Sequence, residues 1–301
     1  MKRVVGLGAS VVDTLISCKE FPTEDTKFRA SSVKKAAGGP VCNALVVMSR
    51  LGTSAEVIGG FADDDGGKYI LSDYAKFGVE TKNAVTVAGT ESFVSYIILS
   101  EGSGSRTCVF ERGNVPDDPK NVSFAALEGA SVLHLDGNYI RSAVAAAKRA
   151  RELGVKVSLD AGGLYDGIEE LLPLVDVLIP SAEFAMGVTH TDSPIEAIKK
   201  LYEKYRPEVL AVTDGSRGGY YIDGGEVHHY DSFKITPKDT NGAGDTFHGA
   251  FVSEYLEGKT TAECCKFASA VSAYKCMNYG VRDFLLDRSI IFDFIKNNSR
   301  G

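Results

Sequence analysis

The chain has 301 residues, 44% of them hydrophobic, and a formal net charge of −7 at pH 7. A chain of this length and composition buries a large core without disulfides or metal ions. The negative charge argues against nucleic acid or an anionic membrane surface as a partner. No apolar run approaches the roughly 20 residues that cross a bilayer, so no membrane-spanning segment is predicted.

The first predicted element is a short apolar strand at residues 4–7. Lys2 and Arg3 precede it, and residues 15–18 resemble a lipoprotein cleavage site. Asp13 interrupts the apolar stretch, however, which is not typical of a secretion signal. We therefore expect a buried strand here and a cytoplasmic protein.

Strand-like and helix-like segments alternate along the chain. The strand-like segments are short runs rich in Val, Ile and Leu, at residues 4–7, 56–59, 132–135, 156–159, 175–179 and 209–213. Helical patterns fall at residues 41–51, 67–77, 141–153, 194–205, 244–257 and 261–277. This alternation predicts an α/β fold, a mostly parallel sheet with helices on both faces. Ligands of such sheets bind beyond the carboxyl ends of the strands.

Two stretches, 14–36 and 84–112, break this alternation. Both have extended, alternating sequence and no convincing helical pattern. We expect them to form a small antiparallel sheet that stands off the main body. No internal repeat or low-complexity linker divides the chain, so residues 1–301 are expected to form one domain.

Residues 239–251 are the most informative segment. Gly242, Ala243 and Gly244 leave their backbone N–H groups uncovered, and an apolar helical pattern starts near Gly244. Uncovered N–H groups at a helix N-terminus favour a phosphate. Asp245 lies in the first turn of this helix. It either complements the helix dipole or acts as a base beside an anion site, which suits phosphoryl transfer to a hydroxyl.

Two further polar residues fall where a ligand is expected. Asp13 follows the first predicted strand, and Asn43 lies in the first turn of an apolar helix, after Gly38 and Gly39. Asn43 is either a local helix cap or a binding residue that the glycine pair makes accessible. Asp13 by itself is an ordinary loop acid. Together, a carboxylate and an amide can hold two adjacent sugar hydroxyls.

Other motifs are less specific. Residues 213–219 follow a predicted strand, and their glycines either let a nucleotide phosphate approach or form a simple hairpin turn. Residues 6–11 lack the third glycine of a dinucleotide fingerprint, and the sequence contains no P-loop motif. The cysteines and the His228-His229 pair show no metal-site spacing, so we interpret the cysteines as core residues; they are Cys18, Cys42, Cys108, Cys264, Cys265 and Cys276.

Taken together, these segments resemble the ribokinase-like (PfkB) carbohydrate kinases over nearly the full chain. The residues and segments that carry the resemblance are Asp13, Gly38, Gly39, Asn43, 59–64, 213–215 and 239–251. Segments 21–25, 247–251 and 267–276 are most similar to the ketohexokinase-like branch of that family.

The resemblance implies a ribokinase-like three-layer sandwich and ATP-dependent phosphorylation of a sugar hydroxyl, usually a primary one. The two extended stretches would form a β-sheet lid over the sugar. By this resemblance, Asp245 matches the general base of the family, and the N–H groups of Gly242, Ala243 and Gly244 match those that hold the phosphoryl oxygens. The positions that match sugar-binding residues are Asp13, Gly38, Gly39 and Asn43. Those that match nucleotide-binding residues are Thr213, Gly215 and Ser269.

The chain also departs from the family pattern. The family often carries Asn-x-x-Glu near its magnesium and phosphate site, whereas residues 181–184 read Ser-Ala-Glu-Phe. Mg²⁺ is still implied, with Glu183 as its candidate ligand. Asp239 matches a position near the monovalent-cation loop of some relatives, which makes K⁺ a candidate cofactor. Ala62 replaces a usual glycine, and Val11 replaces a polar residue that ribokinases use near the sugar, which argues against ribose.

A free ketose such as fructose is the first substrate candidate. A sugar phosphate needs basic groups beside the pocket, for which Arg106 and Arg112 of the lid are candidates. A nucleoside kinase is another alternative, with Phe93 or Tyr96 stacking on a base. From other classes, the alternatives are a non-catalytic sugar- or nucleotide-binding regulator and an NAD-dependent oxidoreductase. The exposed strands of the lid also make a homodimer through the lid an expected assembly.

Overall fold

The computed structural model describes residues 2–103 and 105–298. Its strands are β1 (Arg3–Leu7), β2 (Val11–Cys18), β3 (Ser32–Gly38), β4 (Ser54–Val57), β5 (Gly59–Ala62), β6 (Ala84–Val87), β7 (Val94–Ser100), β8 (Arg106–Glu111), β9 (Val132–Leu135), β10 (Lys156–Ala161), β11 (Val177–Pro180), β12 (Val209–Thr213), β13 (Gly219–Asp223) and β14 (Glu226–Tyr230). Its helices are α1 (Pro40–Arg50), α2 (Asp65–Lys76), α3 (Ile140–Glu152), α4 (Ile168–Leu171), α5 (Ala182–Thr189), α6 (Pro194–Tyr205), α7 (Ala243–Leu256), α8 (Thr261–Cys276) and α9 (Arg288–Asn298).

Eight of these strands form one large sheet, in the order β14-β13-β12-β11-β10-β9-β1-β4. The six strands from β12 to β4 in this order are parallel to their neighbours. The remaining two, β13 and β14, add an antiparallel hairpin at one edge. The predicted mostly parallel sheet is confirmed. Because the six strands run the same way, their carboxyl ends lie along one edge of the sheet.

Helices cover both faces of the large sheet, because successive residues of a strand point to opposite faces. In β12, Leu210 and Val212 pack in the apolar cluster that contains α3 and α6. Val209 and Ala211 pack on the other face, with α7 and α8. The layers are therefore helix, sheet and helix, as the ribokinase-like sandwich predicts.

Helix α1 is deeply buried. Its residues from Val41 to Met48 are all buried, in agreement with its nearly uniform apolar sequence. Helix α7 contacts α1. The first turns of these two helices carry Asn43 and Asp245, so their contact positions both predicted site residues.

A second, four-stranded sheet has the order β3-β2-β7-β8. The predicted separate small sheet is confirmed, but its purely antiparallel character is wrong. Strands β2 and β7 are parallel, whereas the other two pairs are antiparallel. A parallel pair needs a long crossover connection, and residues 19–93, which include α1 and α2, supply it.

The boundaries of the small sheet also differ from the two predicted stretches. Strand β6, at the start of the second stretch, pairs with β5 in a separate two-stranded parallel sheet. Strand β2 begins at Val11, before the first stretch. Alternation along a strand shows that one face is buried, but it does not show which strand is the partner.

The remaining sequence features have simple positions in the fold. All six cysteines are free thiols, and only Cys108 is exposed; the cytoplasmic location stays a prediction. His228 and His229 lie in the edge strand β14. Across the described residues, no helix is long and apolar enough to cross a membrane.

Candidate active site

Asp245 is the third residue of α7, and Gly242 caps this helix. Gly242 has φ of +72°, a left-handed conformation that favours glycine. The side chain of Asp245 is partly buried. Its Oδ2 accepts a hydrogen bond of 2.6 Å from Nδ2 of Asn43. The residues predicted to act as base and as sugar ligand are therefore in direct contact.

The surroundings of Asp245 raise the pKa of its carboxyl. Burial is the main cause and the negative charge of Asp160 adds to it, whereas the hydrogen bond from Asn43 lowers the pKa. A carboxylate with a raised pKa is a stronger base than an exposed one. That is the property needed to take a proton from an alcohol.

Asn43 is held in place by Arg282, which the sequence prediction missed. Nη1 of Arg282 donates to Oδ1 of Asn43, and Nε donates to Oδ2 of Asp73 at 2.6 Å. Because the amide oxygen of Asn43 accepts from Arg282, its amide nitrogen points to Asp245. The Arg282 side chain is only 8% exposed. It lies in an irregular segment after α8, where no sequence pattern marks it.

Asp13 lies in strand β2, so the prediction of a loop position is wrong; only three residues separate β1 from β2. Its Oδ1 accepts a hydrogen bond of 2.5 Å from Oγ of Ser95 on the neighbouring strand β7. Its Oδ2 would lie 1.9 Å from a Cβ atom at Gly38, so the carboxylate needs the glycine. Burial raises the pKa of Asp13, and Ser95 and Arg282 oppose this rise. Asp13 and Asn43 are thus both close to the same arginine.

A further acid, Asp136, lies near the start of α1, the helix that Gly39 caps. Its Oδ2 accepts from the backbone N–H of Ala9 at 2.8 Å and lies 3.4 Å from the N–H of Val41. Burial raises the pKa of Asp136 to about 6. Asp136 was not predicted as a site residue, although it directly follows the strand predicted at 132–135. The rule that pointed to Asp13 would have identified it.

A buried pair lies behind Asp245, one helical turn further along α7. Nε2 of His248 is 3.1 Å from Oδ1 of Asp160, and both side chains are less than a tenth exposed. The ring of His134 lies 6.2 Å away from that of His248. Burial lowers the pKa of His134 to about 3, so this ring is neutral. Asp160 was also missed, although it directly follows the strand predicted at 156–159.

The backbone N–H groups at the start of α7, which were predicted to be uncovered, differ in their hydrogen bonds. Those of Gly242 and Gly244 have no hydrogen-bond acceptor within the described residues, and Gly244 is exposed. The N–H of Ala243 donates to the carbonyl of Thr240 at 3.3 Å. This donor is engaged in the turn before the helix, which differs from the expectation that it is uncovered.

The predicted nucleotide segment is a hairpin connection. Thr213 ends β12, and a 3₁₀ turn over Gly215–Arg217 leads into the antiparallel strand β13. A hairpin was the alternative interpretation of this sequence. Gly215 is exposed, and a Cβ atom there would meet open space, so a ligand can approach its backbone.

Ser269 lies on the side of α8 that faces the start of α7. One turn later on the same helix, Ser272 donates a hydrogen bond of 2.9 Å to the carbonyl oxygen of Ala243. Residues three apart share a helix face. The third predicted nucleotide residue is therefore close to the predicted anion site.

Glu183 lies in the first turn of α5, and its side chain is exposed. Ser181, which replaces the asparagine of the family motif, caps this helix and pairs with Thr213 in a parallel bridge. Mg²⁺ in nucleotide sites is held by one or two carboxylates, phosphate oxygens and water. An exposed carboxylate beside the strand that carries Thr213 fits that role.

The surroundings of Asp239 do not fit a monovalent metal ion. Its carbonyl oxygen is 2.8 Å and its Oδ2 is 3.3 Å from Nζ of Lys275. Its carboxylate also accepts from the N–H groups of Asn241 and Gly280. An ammonium group already faces the oxygens that such an ion would use.

Arg106 begins β8 and Arg112 directly follows this strand, and both were candidates for binding a sugar phosphate. Arg106 donates to Oδ1 of Asn241, just before α7, at 3.2 Å. Arg112 donates to Oδ1 of Asn138, and its guanidinium lies over the ring of Phe93 at 5.8 Å. Arg106 is therefore beside the segment that leads into α7, and Arg112 is beside Phe93.

Tyr96 is remote from the site, because neighbouring residues of a strand point to opposite faces. Ser95 faces Asp13, so Tyr96 lies on the other face of the small sheet, where it is 51% exposed. Of the two aromatic residues considered for stacking on a base, only Phe93 is on the side of Asp13.

Comparisons with known proteins give one family and several similar chains. The family model for "pfkB family carbohydrate kinase" matches residues 1–288. The chain is 26% identical to a ribokinase of Haemophilus influenzae, over 98% of this chain and 99% of that protein. It is 25% identical to a ketohexokinase of Mus musculus, over 91% and 96% of the two chains. A crystal structure of a candidate ribokinase from Agrobacterium tumefaciens, 26% identical, superposes with a TM-score of 0.93 over 100% of this chain and 99% of that chain.

Proposed function

Because the chain belongs to the pfkB family of carbohydrate kinases, we propose that it transfers the γ-phosphoryl group of ATP to a primary hydroxyl of a free sugar. A ketose such as fructose is the first candidate for this sugar. The observation that carries the proposal is the hydrogen bond between Asn43 and Asp245. It joins a candidate base at a helix N-terminus to a candidate sugar ligand.

In the proposed reaction, Asp245 takes the proton of the attacking hydroxyl. The hydroxyl oxygen forms a bond to the γ-phosphorus. The bond from that phosphorus to the bridging oxygen breaks, and ADP leaves with its electron pair. A well-placed general base contributes about 10²- to 10⁴-fold to such a rate. The raised pKa of Asp245 supports this role.

The start of α7 is proposed to stabilise the charge on the transferring phosphoryl group. The N–H groups of Gly242 and Gly244 would donate to the phosphoryl oxygens, and the helix dipole would add to their effect. When bound, Mg²⁺ supplies positive charge to the β- and γ-phosphates. Glu183 is the residue proposed to hold it, directly or through water.

The nucleotide is proposed to lie between the β12–β13 turn and α8. Thr213 and Gly215 line one side of this region, and Ser269 lines the other. The hydrogen bond from Ser272 to the Ala243 carbonyl supports this arrangement, because it fixes α8 beside the phosphoryl site.

The sugar is proposed to bind through Asp13 and Asn43, with Gly38 and Gly39 leaving space for it. The relatives include a ribokinase and a ketohexokinase, so the similarities support a free pentose and a free ketohexose alike. Val11 is the reason to prefer a ketose to ribose.

The small sheet is proposed to act as a lid, and two contacts support this role. Arg106 binds Asn241, and Lys34 forms an ion pair with Asp283, so the sheet reaches the loops on either side of the site. A lid that closes over the sugar excludes water and so suppresses hydrolysis of ATP.

A phosphorylated sugar is the second candidate substrate, because Arg112 places a cation at the rim of the sugar site. A guanidinium binds phosphate oxygens in a bidentate manner. Its position over the Phe93 ring keeps it on the same side as Asp13.

The test is an ADP-release assay across free ketoses, aldoses, nucleosides and sugar phosphates. A free sugar should give turnover far above the background ATPase rate. Turnover with a phosphorylated sugar alone, lost in Arg112→Ala, would favour the second candidate. If the protein binds ATP and a sugar but turns over no acceptor, the proposed kinase activity is contradicted and the non-catalytic regulator is favoured. A thermal shift with NAD but not with ATP–Mg²⁺ would favour the oxidoreductase alternative.

A homodimer through the small sheet is proposed as the assembly. The face opposite Asp13 carries three exposed apolar side chains: Val33, Tyr96 and Val109 are 65%, 51% and 62% exposed. Grouped exposed apolar residues mark interaction surfaces. Analytical ultracentrifugation should show a dimer, and Tyr96→Lys with Val109→Lys should give a monomer. A wild-type protein that stays monomeric at high concentration would contradict the proposal.

A further inference from the structure

Lys275 is a fully buried lysine at the end of α8. A buried ammonium is costly unless oxygen atoms replace its hydration. Its Nζ lies 2.8 Å from the carbonyl oxygen of Asp239 and 3.3 Å from Oδ2 of the same residue. One residue therefore supplies two oxygen ligands to this group.

Asp239 belongs to the short segment that leads into the first turn of α7. Its Oδ1 accepts from the N–H of Asn241, and its Oδ2 accepts from the N–H of Gly280. The carboxylate thereby ties the segment before α7 to the segment after α8. The ammonium of Lys275 lies between these two segments and is the cation that Asp239 binds.

The contacts of Lys275 are those of a charged group. Both atoms near its Nζ are hydrogen-bond acceptors, so the group acts as a donor towards each of them. Burial lowers the pKa of Lys275, while the charges of Asp239 and, further away, Asp245 raise it. The positive charge is thus balanced by carboxylates that belong to the proposed active site.

We propose that the Lys275 ammonium takes the place of a monovalent metal ion beside Asp239, so that this chain is a kinase that does not depend on K⁺. The effect on catalysis rests on the proposed function. An ammonium group and K⁺ are similar in size, and both are bound by carbonyl and carboxylate oxygens. Lys275 is a positioning residue, because it fixes the segment that holds Gly242 and Asp245 without contacting the substrate itself.

The first test compares the wild-type protein in potassium, sodium and tetramethylammonium chloride at equal ionic strength. Equal ionic strength keeps the general screening of charges the same. We expect the same kcat, the same KM and the same unfolding midpoint in all three salts. Activation or stabilisation that is specific to K⁺ would overturn the proposal.

The second test removes the built-in cation. Lys275→Ala leaves a space lined by the oxygens of Asp239, and without a cation there the segment that leads into α7 should shift. A shift of about 1 Å lowers a rate by about 10²-fold, so kcat in tetramethylammonium chloride should fall by about that factor. KCl should restore part of this loss and raise the unfolding midpoint. Lys275→Met fills the space and should show no response to K⁺. Lys266→Ala, an exposed lysine on the same helix, should behave as wild type in every salt.

These readouts separate the two proposals. The unfolding midpoints need no substrate, so they test the cation site even if no acceptor sugar is found. A folded Lys275→Ala variant that gains no response to K⁺ would overturn the replacement. If Lys275→Ala does not fold in any salt, the comparison of the wild-type protein in the three salts tests whether K⁺ is needed.

Discussion

Nδ2 of Asn43 donates a hydrogen bond of 2.6 Å to Asp245, while Oδ1 of the same amide accepts one from Arg282. Arg282 is in turn fixed by Asp73 at 2.6 Å. A line of charged and polar side chains therefore runs from α2 through α1 to the first turn of α7. This line of side chains sets the orientation of the proposed base.

Replacing Arg282 should affect both stability and catalysis. Arg282→Met leaves Asp73 buried without its partner, so the free energy of unfolding in urea should fall by about 3–5 kcal/mol. Without Arg282, the Asn43 amide is free to turn, and kcat should fall as well. Arg282→Lys keeps the charge but not the fork of donors, so it should recover stability better than kcat. Arg149→Met is the control, because Arg149 lies on α3 and pairs, among the described residues, only with the exposed Glu152. A stable Arg282→Met protein with wild-type kcat would contradict this role.

The pH profile of kcat/KM should move in opposite directions in two variants. Asp245 must be ionised to act as a base, so activity is lost as the pH falls through its pKa. Asn43→Ala removes the hydrogen bond that lowers this pKa, so its acid limb should move to higher pH. Asp160→Asn removes a charge that raises the pKa, so its acid limb should move to lower pH. Shifts in the same direction would argue against Asp245 as the titrating group.

Asp136 should make stability depend on pH. Its pKa is about 6 in the fold, against 3.8 for an ordinary Asp. The fold therefore favours protonation, and the resulting stabilisation is fully present below pH 3.8 and lost as the pH rises through about 6. The change is about 3 kcal/mol, measured as the difference in unfolding free energy between pH 4 and pH 7. Asp136→Asn should remove this contribution, and the exposed Asp293→Asn should keep it. If the unfolding free energies of both variants depend on pH to the same extent, Asp136 is not the group responsible.

Ser95 should matter for the sugar and not for the nucleotide. Ser95→Ala removes a hydrogen bond to Asp13, worth about 1 kcal/mol, so KM for the sugar should rise about fivefold. KM for ATP should stay the same. Ser103→Ala, at the exposed end of the same sheet, is the control. An equal rise in both KM values would indicate a general distortion of the fold.

Much of the fold could be predicted because its signals are local. Short Val-, Ile- and Leu-rich runs between helical patterns give a parallel sheet, and the predicted helix near Gly244 begins at Ala243. The parallel pairing of β2 with β7 could not be predicted, since the choice of a partner strand is a long-range property. Asp136 and Asp160 follow predicted strands, so the rule used for Asp13 would have found them.

Arg282 and Lys275 had no local signal. Each acts through partners that are distant in sequence, Asn43 for Arg282 and Asp239 for Lys275. A single buried cation in an apolar helix, or in an irregular segment, is not recognisable until the fold brings its carboxylate partner close. These two residues are therefore the parts of the site that only the structure supplies.

The central claim is that Asp245 is the general base, and one measurement tests it most directly. Asp245→Asn keeps the size of the side chain, so ATP and sugar should bind in calorimetry much as they do to the wild type. Its kcat should fall by about 10²- to 10⁴-fold, whereas Asp65→Asn, an exposed acid in the first turn of α2, should leave kcat unchanged. An Asp245→Asn protein that binds both substrates and turns over at the wild-type rate would contradict the account.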